Sequence, residues 1–489
     1  MKCRIPDPFF VYAQKFTLES MVIQISKLAF DIYCNSHINS FVDIRTLPKT
    51  NNKIKIPQTW LIDVLYDIVI MDNYGFNSIT DGETLQLLRY YFTYQNTQDR
   101  NNRFLSQNVV RMLYGFSGEQ FRFQKNSFHY DYARESYILE KLSYKYNFGK
   151  NKIDFLEDFR LETCSTPKSI SVAVLIFLSI AIIKGGVVSK KDLLVADANL
   201  PIKDLLFIID TYSIDISSVR SSLLKRQVFY PYPIISMHNI YVVSNPFLLL
   251  NLFSHSNLWI VRNKYRNERK TSFTNIFGLY FEKYVEEILQ YCLKNNCYQN
   301  LDNATFINGI EVNKNRKIAD WLIKLGDYNF IVEQKSTLVF LEIQQTRTDL
   351  SQLETFIKKT WGKAIRQLHE TEYSYKLENA IKIILVYDSY FVSEAIDEVY
   401  KLIPELDNDG FTWLVNIDEF EQLMYLYKTN VSMFIDIVRE KIELEVTKSA
   451  KGKSFEQLFE KHGISLYDYI IETNIINEFN SLQCFETNI

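Results

Sequence analysis

Two carboxylates and an amine lie at one end of a predicted β-hairpin. Its strands are residues 318–323 and 330–335, and the Gly-Asp-Tyr-Asn segment between them has the composition of a turn. Folding about that turn brings Asp320 opposite Lys335 or its neighbour, and the two-residue period puts Glu333 and Lys335 on one face. Because many neighbours are apolar, two carboxylates would be costly to bury there unless a cation lies between them. The pattern predicts a divalent-cation site, and Mg²⁺ suits it because Mg²⁺ takes few carboxylates and keeps waters.

Two predicted helices place further polar groups beside this hairpin. The preceding helix, residues 276–295, carries Glu282 on the margin of its apolar stripe, where a carboxylate needs a partner such as a metal or a base. The alternative for Glu282 is a partly exposed side chain whose head reaches water. The following helix carries Lys359, Lys363 and Gln367 at intervals of four residues, so these three side chains lie on one face.

The combination resembles the active site of the PD-(D/E)XK nuclease superfamily. Asp320 is followed, after twelve residues, by Glu333-x-Lys335, as in the motif of that family. The similarity covers residues 272–428, where helix, hairpin, a third strand at 338–344, helix, strand and helix follow the family's αβββαβ order. The resemblance therefore predicts a restriction-endonuclease-like domain.

The sequence departs from the family pattern at two positions. Ala319 stands where the family has proline before the aspartate, and Thr371 stands where a tyrosine is expected four residues after Gln367. A different interpretation of the motif itself also stays open, in which Glu333 and Lys335 belong to a cross-strand surface network of ion pairs.

The resemblance implies a set of roles for these residues. Asp320 and Glu333 would hold Mg²⁺, with Mn²⁺ as an alternative ion, and Glu282 would help directly or through water. Lys335 would orient or help deprotonate the attacking water and offset charge in the transition state. Gln367 and Lys363 would contact the phosphate or orient Lys335. The expected products carry 5′-phosphate and 3′-hydroxyl ends.

Charge restricts where a nucleic acid could bind. Lys and Arg number 55 and Asp and Glu 58, so the formal net charge is −3 and a polycationic protein is excluded. A nucleic-acid surface must therefore be a local patch, and the densest basic stretch is residues 262–270. A solvated linker is the alternative for this stretch. The predicted nucleic-acid contacts are Arg262, Lys264, Arg266, Lys359 and Lys363.

The middle of the chain resembles a winged helix-turn-helix. Helices are followed by strands predicted at 232–237 and 240–243. In the nucleic-acid-binding version of this segment Arg220, Lys225 and Arg226 contact phosphates. A packing or dimerisation module is the alternative.

Composition and pattern together predict an α/β protein, α+β overall. Hydrophobic residues make up 47% of the chain, which excludes wholesale disorder, and only 14 Gly and 10 Pro indicate many helices. The predicted segments are a helical N-terminal domain (1–150), a winged-helix-like domain (151–255), a basic linker (256–271), the nuclease-like domain (272–428) and a helical tail (429–489).

The cellular setting is predicted from weaker signals. Six scattered cysteines and the absence of a signal peptide at the start favour a cytoplasmic protein with reduced thiols. The apolar run 170–183 would reach about 21 Å as a helix, short of the ~30 Å hydrocarbon core, so we interpret it as a buried helix and expect no membrane partner. The composition is typical of an AT-rich bacterial genome, and fold-level analogy suggests antiphage defence.

These observations predict a Mg²⁺-dependent endonuclease that hydrolyses phosphodiester bonds, with DNA favoured over RNA. Two alternatives remain open from the sequence. One is a non-catalytic nucleic-acid-binding or regulatory protein that keeps the nuclease scaffold, and the other is an RNase toxin. A second copy of the chain and a phage-derived trigger are the further partners expected.

Overall fold

The computed structural model of the protein describes residues 7–34, 41–42, 54–56, 58–71, 75–101, 128–149, 154–195, 202–254, 260–261, 273–313, 316–336, 350–377, 380–387, 396–408, 410–447 and 454–483. In chain order their helices are α1 (Pro8–Ala13), α2 (Leu18–Cys34), α3 (Gln58–Ile70), α4 (Asp81–Asn101), α5 (Phe128–Ser136), α6 (Phe155–Thr163), α7 (Pro167–Ile183), α8 (Lys190–Val195), α9 (Ile202–Tyr212), α10 (Ile216–Ser221), α11 (Pro246–Ser254), α12 (Phe273–Cys292), α13 (Leu350–Ser374), α14 (Ile396–Lys401), α15 (Ile417–Thr429), α16 (Val431–Val446), α17 (Phe455–Lys461), α18 (Asp468–Glu472) and α19 (Asn477–Gln483). The strands are β1 (Phe41–Val42), β2 (Ile54–Lys55), β3 (Val187–Ser189), β4 (Ser213–Asp215), β5 (Ile234–Met237), β6 (Ile240–Val243), β7 (Tyr298–Asn300), β8 (Phe306–Ile307), β9 (Ile310–Glu311), β10 (Trp321–Leu325), β11 (Tyr328–Lys335), β12 (Ile381–Val386) and β13 (Thr412–Asn416).

The chain is a mixed α and β protein, in agreement with the α+β class expected from the sequence. Its described residues form two compact units. Unit 1 holds those up to residue 128 and those between 156 and 261, and unit 2 holds those of 129–155 and those from 273 onward. The chain enters unit 2 within α5 and returns to unit 1 at residue 156, so unit 1 is assembled from two separate stretches of the sequence.

Unit 1 joins the N-terminal helices and the helices and strands of residues 156–254 in one core. Leu65 of α3 and Ile25 of α2 belong to the same buried cluster as Val219 and Ile235. The sheet has the order β3-β6-β5-β4, and the predicted hairpin is confirmed as the antiparallel pair β5–β6. Arg220 donates to the carbonyls of Val69 and Met71 at 2.8 and 3.2 Å, so its guanidinium holds the end of α3.

Helix α7 is the apolar run identified in the sequence. Thr166 caps its first turn by accepting from the Ser169 N–H at 3.1 Å, and Pro167 stands at its first position. Much of the helix is buried, as predicted. Among the described residues, no single helix is long and apolar enough to cross a membrane, and only α6 and α7 taken together, bent by 55°, pass that length and composition criterion.

Unit 2 is built on a mixed sheet with the order β13-β12-β11-β10-β7. The strands β7, β10 and β11 pair antiparallel, whereas β11, β12 and β13 run parallel. Trp361 and Leu368 of α13 pack with Leu322 and Ile331 on one face of this sheet. On the other face Phe330 meets Phe434 of α16, with ring centroids 6.3 Å apart. Helices therefore cover both faces, which explains the nearly continuous apolar sequence of the central strands.

A buried arginine explains why α5 belongs to unit 2. Arg134 is 2% exposed, and its Nε and Nη2 donate to the two carboxylate oxygens of Glu421 at 2.6 and 2.9 Å. Its Nη2 also donates to Asp418, and Tyr284 of α12 donates to Glu421 at 2.7 Å. Bidentate pairing of this kind fixes geometry as well as charge. The cluster thus ties α5, α12 and α15 together.

We expect Arg134→Met to lower the free energy of unfolding of unit 2 by about 3–5 kcal/mol, because buried carboxylates would be left without their cation. Urea unfolding followed by tryptophan fluorescence measures this, since the buried Trp321, Trp361 and Trp413 all lie in unit 2. The matched control is Arg439→Met, whose side chain is 60% exposed and should change stability by less than about 1 kcal/mol. Equal effects of the two substitutions would contradict the assignment.

Candidate functional site

The β10–β11 hairpin places the predicted carboxylates close together. Its strands run as far as Leu325 and Tyr328, so the turn consists of Gly326 and Asp327, with Gly326 at a φ of +61° that favours glycine. This turn is tighter than the four-residue turn expected, and the pairing shifts accordingly. Trp321 pairs with Val332. Asp320, the residue before β10, donates its N–H to the Val332 carbonyl, so the expectation that it lies opposite Lys335 or its neighbour is wrong.

Main-chain hydrogen bonds fix Asp320 at the open end of the hairpin. Its N–H donates to the Val332 carbonyl at 3.0 Å, and its own carbonyl accepts from Leu301 at 2.8 Å. Its carboxylate Oδ2 accepts from the Gln334 N–H at 2.6 Å. Asp320 is half-buried, so part of its surface remains accessible. Its backbone is held from both neighbouring strands.

The side chains of Asp320, Glu333 and Lys335 share the face of the sheet that α13 covers. Glu333 and Lys335 alternate in step with Ile331, which lies in the core beneath α13. The prediction that Glu333 and Lys335 share a face is confirmed by their ion pair, in which Lys335 Nζ donates to Glu333 Oε1. Asp320 alternates in step with Leu322, which lies in the same core.

The electrostatics of this end of the hairpin are dominated by burial. Glu333 is only 2% exposed, and burial raises the pKa of its carboxyl although Lys335 and Lys363 act in the opposite direction. Burial, together with the charge of Glu333, raises the pKa of Asp320 well above its ordinary value. Glu333 Oε2 has no hydrogen-bond partner among the described residues. The pair is therefore short of positive charge and of donors.

Glu282 is held beside the sheet edge and not against this pair. Asn300 of β7 pairs with Trp321, so its side chain lies on the face opposite to that of Asp320. Asn300 Nδ2 donates to Glu282 Oε1 at 3.0 Å, and burial raises the pKa of Glu282. Gly278 lies one turn before Glu282 on α12 and lets this helix pack closely against Ser336. A Cβ at position 278 would lie 3.1 Å from Ser336 Oγ.

Asp302 is a further carboxylate of this region that the sequence interpretation missed. It follows β7 closely, and burial raises its pKa. Its charge raises the pKa of Glu282, Asp320 and Glu333, so it lies within electrostatic range of all three. The signal in the sequence was the polar run Asn300-Leu301-Asp302-Asn303, which has the composition of a turn and not of a metal motif.

Helix α13 lies over the carboxylates of Asp320 and Glu333. It carries the three polar residues predicted to share one face, Lys359, Lys363 and Gln367. Lys359 and Lys363 are exposed, and the charge of Lys363 lowers the pKa of Glu333, which places it near the pair. Gln367 Nε2 donates to the Ile318 carbonyl at 3.0 Å, so this side chain holds the chain two residues before Asp320. Gln367 Oε1 is buried and has no hydrogen-bond partner among the described residues.

Several predicted features lie outside the described residues or differ from the structure. Arg262, Lys264, Arg266 and the expected strand at 338–344 lie outside them. Among the described strands, β7, which precedes the hairpin, is the third antiparallel member of the sheet. Within the described ranges, no three or more His, Cys, Asp or Glu side chains form a group that could hold a metal ion.

Comparison with known proteins adds no family to this geometry. No protein-family model, no curated protein and no solved structure matches the chain. The candidate site therefore has to be argued from its own residues.

We expect Asp320→Asn to stabilise the metal-free protein by about 0.5–2 kcal/mol at pH 8, because burial disfavours the charged form of this carboxyl. A carboxyl with a raised pKa in the folded state loses stability as pH rises through that pKa, and the neutral amide avoids this loss. The gain should therefore shrink as the pH is lowered. Urea unfolding in EDTA at several pH values measures it.

The matched control is Asp327→Asn at the exposed turn of the same hairpin, which should leave stability unchanged. If Asp320 were a member of a structural ion-pair network, Asp320→Asn would instead destabilise the protein at pH 8. That result would contradict the assignment of Asp320 to a functional site.

Proposed function

We propose that the protein is a Mg²⁺-dependent nuclease acting on nucleic acid, with DNA as the favoured substrate. The observation that carries the proposal is that half-buried Asp320 and buried Glu333 lie together beside Lys335 at the open end of one hairpin. Two carboxylates with raised pKa values and a neighbouring amine are typical of catalytic sites and are costly as mere packing.

The donor set fits a hard divalent cation. Glu333 Oε2 is buried without a hydrogen-bond partner among the described residues, and the carboxylate of Asp320 accepts one main-chain N–H. Mg²⁺ is usually bound through one or two carboxylates, substrate phosphate and waters, so a group of three protein carboxylates is not required. Asp320 and Glu333 would hold the ion. When bound, it would supply Lewis acidity toward a phosphate and an acidified water.

The remaining residues of the chain have separate roles. Lys335, paired with Glu333, would orient or help deprotonate the attacking water and offset the charge that develops on the phosphate. Glu282, fixed by Asn300, and the neighbouring Asp302 keep the local potential negative and so favour a cation at this end of the sheet. No covalent intermediate with the protein is needed.

The exposed lysines of α13 would bind the nucleic-acid backbone close to the carboxylates of Asp320 and Glu333. Lys359 and Lys363 are exposed on consecutive turns of one helix face, and Lys363 is near enough to act on Glu333. Cations in this arrangement would pair with backbone phosphates and offset the repulsion between phosphate and carboxylate. Arg262, Lys264 and Arg266 are proposed to extend this surface on the basis of the sequence alone.

A non-catalytic nucleic-acid-binding protein is the second candidate. Its support is that Lys335 already neutralises Glu333 and that Glu282 is bonded to Asn300, so the described carboxylates form no three-ligand group. In that case the same lysines would bind nucleic acid without cleavage.

The purified protein should cleave plasmid DNA in Mg²⁺ or Mn²⁺ and lose all cleavage in EDTA. Single-stranded DNA and RNA, tested in parallel, decide the substrate class. Asp320→Ala and Lys335→Ala should each reduce the rate at least about 100-fold, since each removes a group required in the transition state. Asp327→Ala and Lys324→Ala, charge-matched and exposed on the same hairpin, should retain the wild-type rate.

Binding without cleavage in any of these metals would reject the nuclease and support the second candidate. Cleavage of RNA alone would replace DNA by RNA in the proposal. Cleavage that survives both Asp320→Ala and Lys335→Ala would show that the activity comes from elsewhere.

Binding to nucleic acid in EDTA should weaken steeply with salt. For the double substitution Lys359→Gln and Lys363→Gln, we expect the slope of log K against log salt to become shallower by about 2, roughly 1 for each phosphate that is no longer neutralised. Charge reversal at Arg262, Lys264 and Arg266 tests the sequence-based part of the surface in the same way. Lys324→Gln is the control, and a slope that none of these substitutions changes would remove the proposed surface.

A further inference from the structure

Two side chains one turn apart on α13 hold the main chain just before Asp320. Gln367 Nε2 donates to the Ile318 carbonyl at 3.0 Å. The N–H of the next residue, Ala319, donates to Thr371 Oγ1 at 2.9 Å. Thr371 Oγ1 in turn donates to the Gln367 carbonyl at 2.7 Å, a bond within the helix that fixes its rotamer. Helix and strand are thus joined at two consecutive residues.

Burial makes the hydroxyl of Thr371 hard to replace. Thr371 and Ala319 are both 0% exposed, so bulk water cannot take over as acceptor for the Ala319 N–H. An unsatisfied N–H in this position would be unfavourable, and the strand would have to shift to find another acceptor. The residue that moves with such a shift is Asp320, the next in the chain.

We propose that Thr371 is a positioning residue of the candidate metal site, and this inference rests on the proposed function. Its hydroxyl holds the backbone at Ala319 and thereby keeps the Asp320 carboxylate beside Glu333. Thr371 itself contacts neither substrate nor metal. The α13 helix therefore has two tasks, since its exposed lysines face the substrate while Gln367 and Thr371 hold the strand.

The test compares Thr371→Val, which keeps the shape and removes the hydroxyl, with Thr371→Ser, which keeps the hydroxyl. Groups that hold a metal ligand in place are commonly worth about 10–100-fold in metal affinity or activity. We expect Thr371→Val to lower kcat by that factor and to raise the Mn²⁺ concentration needed for half-maximal binding, with the KM for nucleic acid unchanged. Thr371→Ser should restore most of both quantities.

Mn²⁺ binding, measured by electron paramagnetic resonance without nucleic acid, separates this inference from the proposed function. Protein that binds Mn²⁺ through Asp320 but cleaves nothing would reject the nuclease, and the Thr371 variants would still decide the inference through Mn²⁺ affinity. Protein that cleaves nucleic acid while Thr371→Val leaves kcat and Mn²⁺ affinity unchanged would overturn the inference alone. Protein that neither binds Mn²⁺ nor cleaves would overturn both.

The matched control is Thr429→Val. Thr429 Oγ1 makes the same bond within a helix, to the Tyr425 carbonyl at 2.9 Å, but it is exposed and should be neutral in every assay. If Thr371→Val does not fold, amide hydrogen exchange of the wild type decides instead. Slow exchange of the Ala319 N–H supports the bond to Thr371, and exchange as fast as that of an exposed amide overturns it.

Discussion

The register of the β10–β11 hairpin is the constraint on which the candidate site depends. Side chains alternate along a strand, so a slip of one residue would move Glu333 and Lys335 to the opposite face of the sheet, away from α13. The tight turn at Gly326 and Asp327 sets the register at one end. At the other end, the bonds of Asp320 to Val332 and Leu301 hold it. Main-chain pairing therefore determines which side chains meet at the candidate site.

The carboxylates at the open end of this hairpin oppose folding, and the surrounding unit has to compensate. Burial raises the pKa of Asp320, Glu333 and Glu282, which means that each charged form is disfavoured in the folded protein. Elsewhere in unit 2, Arg134 pairs with Asp418 and Glu421, and Glu419, whose pKa burial raises to about 7, accepts the main-chain N–H groups of Asn416 and Glu456. Both carboxylate oxygens of Glu419 thus accept a hydrogen bond, whereas Glu333 Oε2 at the end of the sheet has no partner among the described residues. This contrast argues for function at that end.

The local sequence pattern was enough to predict the helices and strands of the candidate site. Contacts between residues far apart in the sequence could not be predicted from it. Alternation and apolar periodicity were enough for the hairpin, for α12 and α13, and for the shared face of Glu333 and Lys335. The strand β7 was missed because Tyr-Gln-Asn lacks a β pattern and pairs only through β10. The contact of Arg134 with Glu421 spans most of the chain, and nothing in the local sequence of α5 indicates it. For the same reason, the attachment of Glu282 to Asn300 could not be predicted.

The two departures from the PD-(D/E)XK pattern noted in the sequence meet in one hydrogen bond. Proline at position 319 would have no N–H to donate, whereas Ala319 donates to Thr371. The phenol ring of a tyrosine at position 371 would need far more room than the completely buried threonine occupies. The two residues are therefore complementary. The buried N–H of residue 319 requires a hydrogen-bond acceptor, and the hydroxyl of residue 371 provides it. Ala319 and Thr371 are mutually consistent in the structure, and their hydrogen bond attaches the strand to α13 beside Asp320.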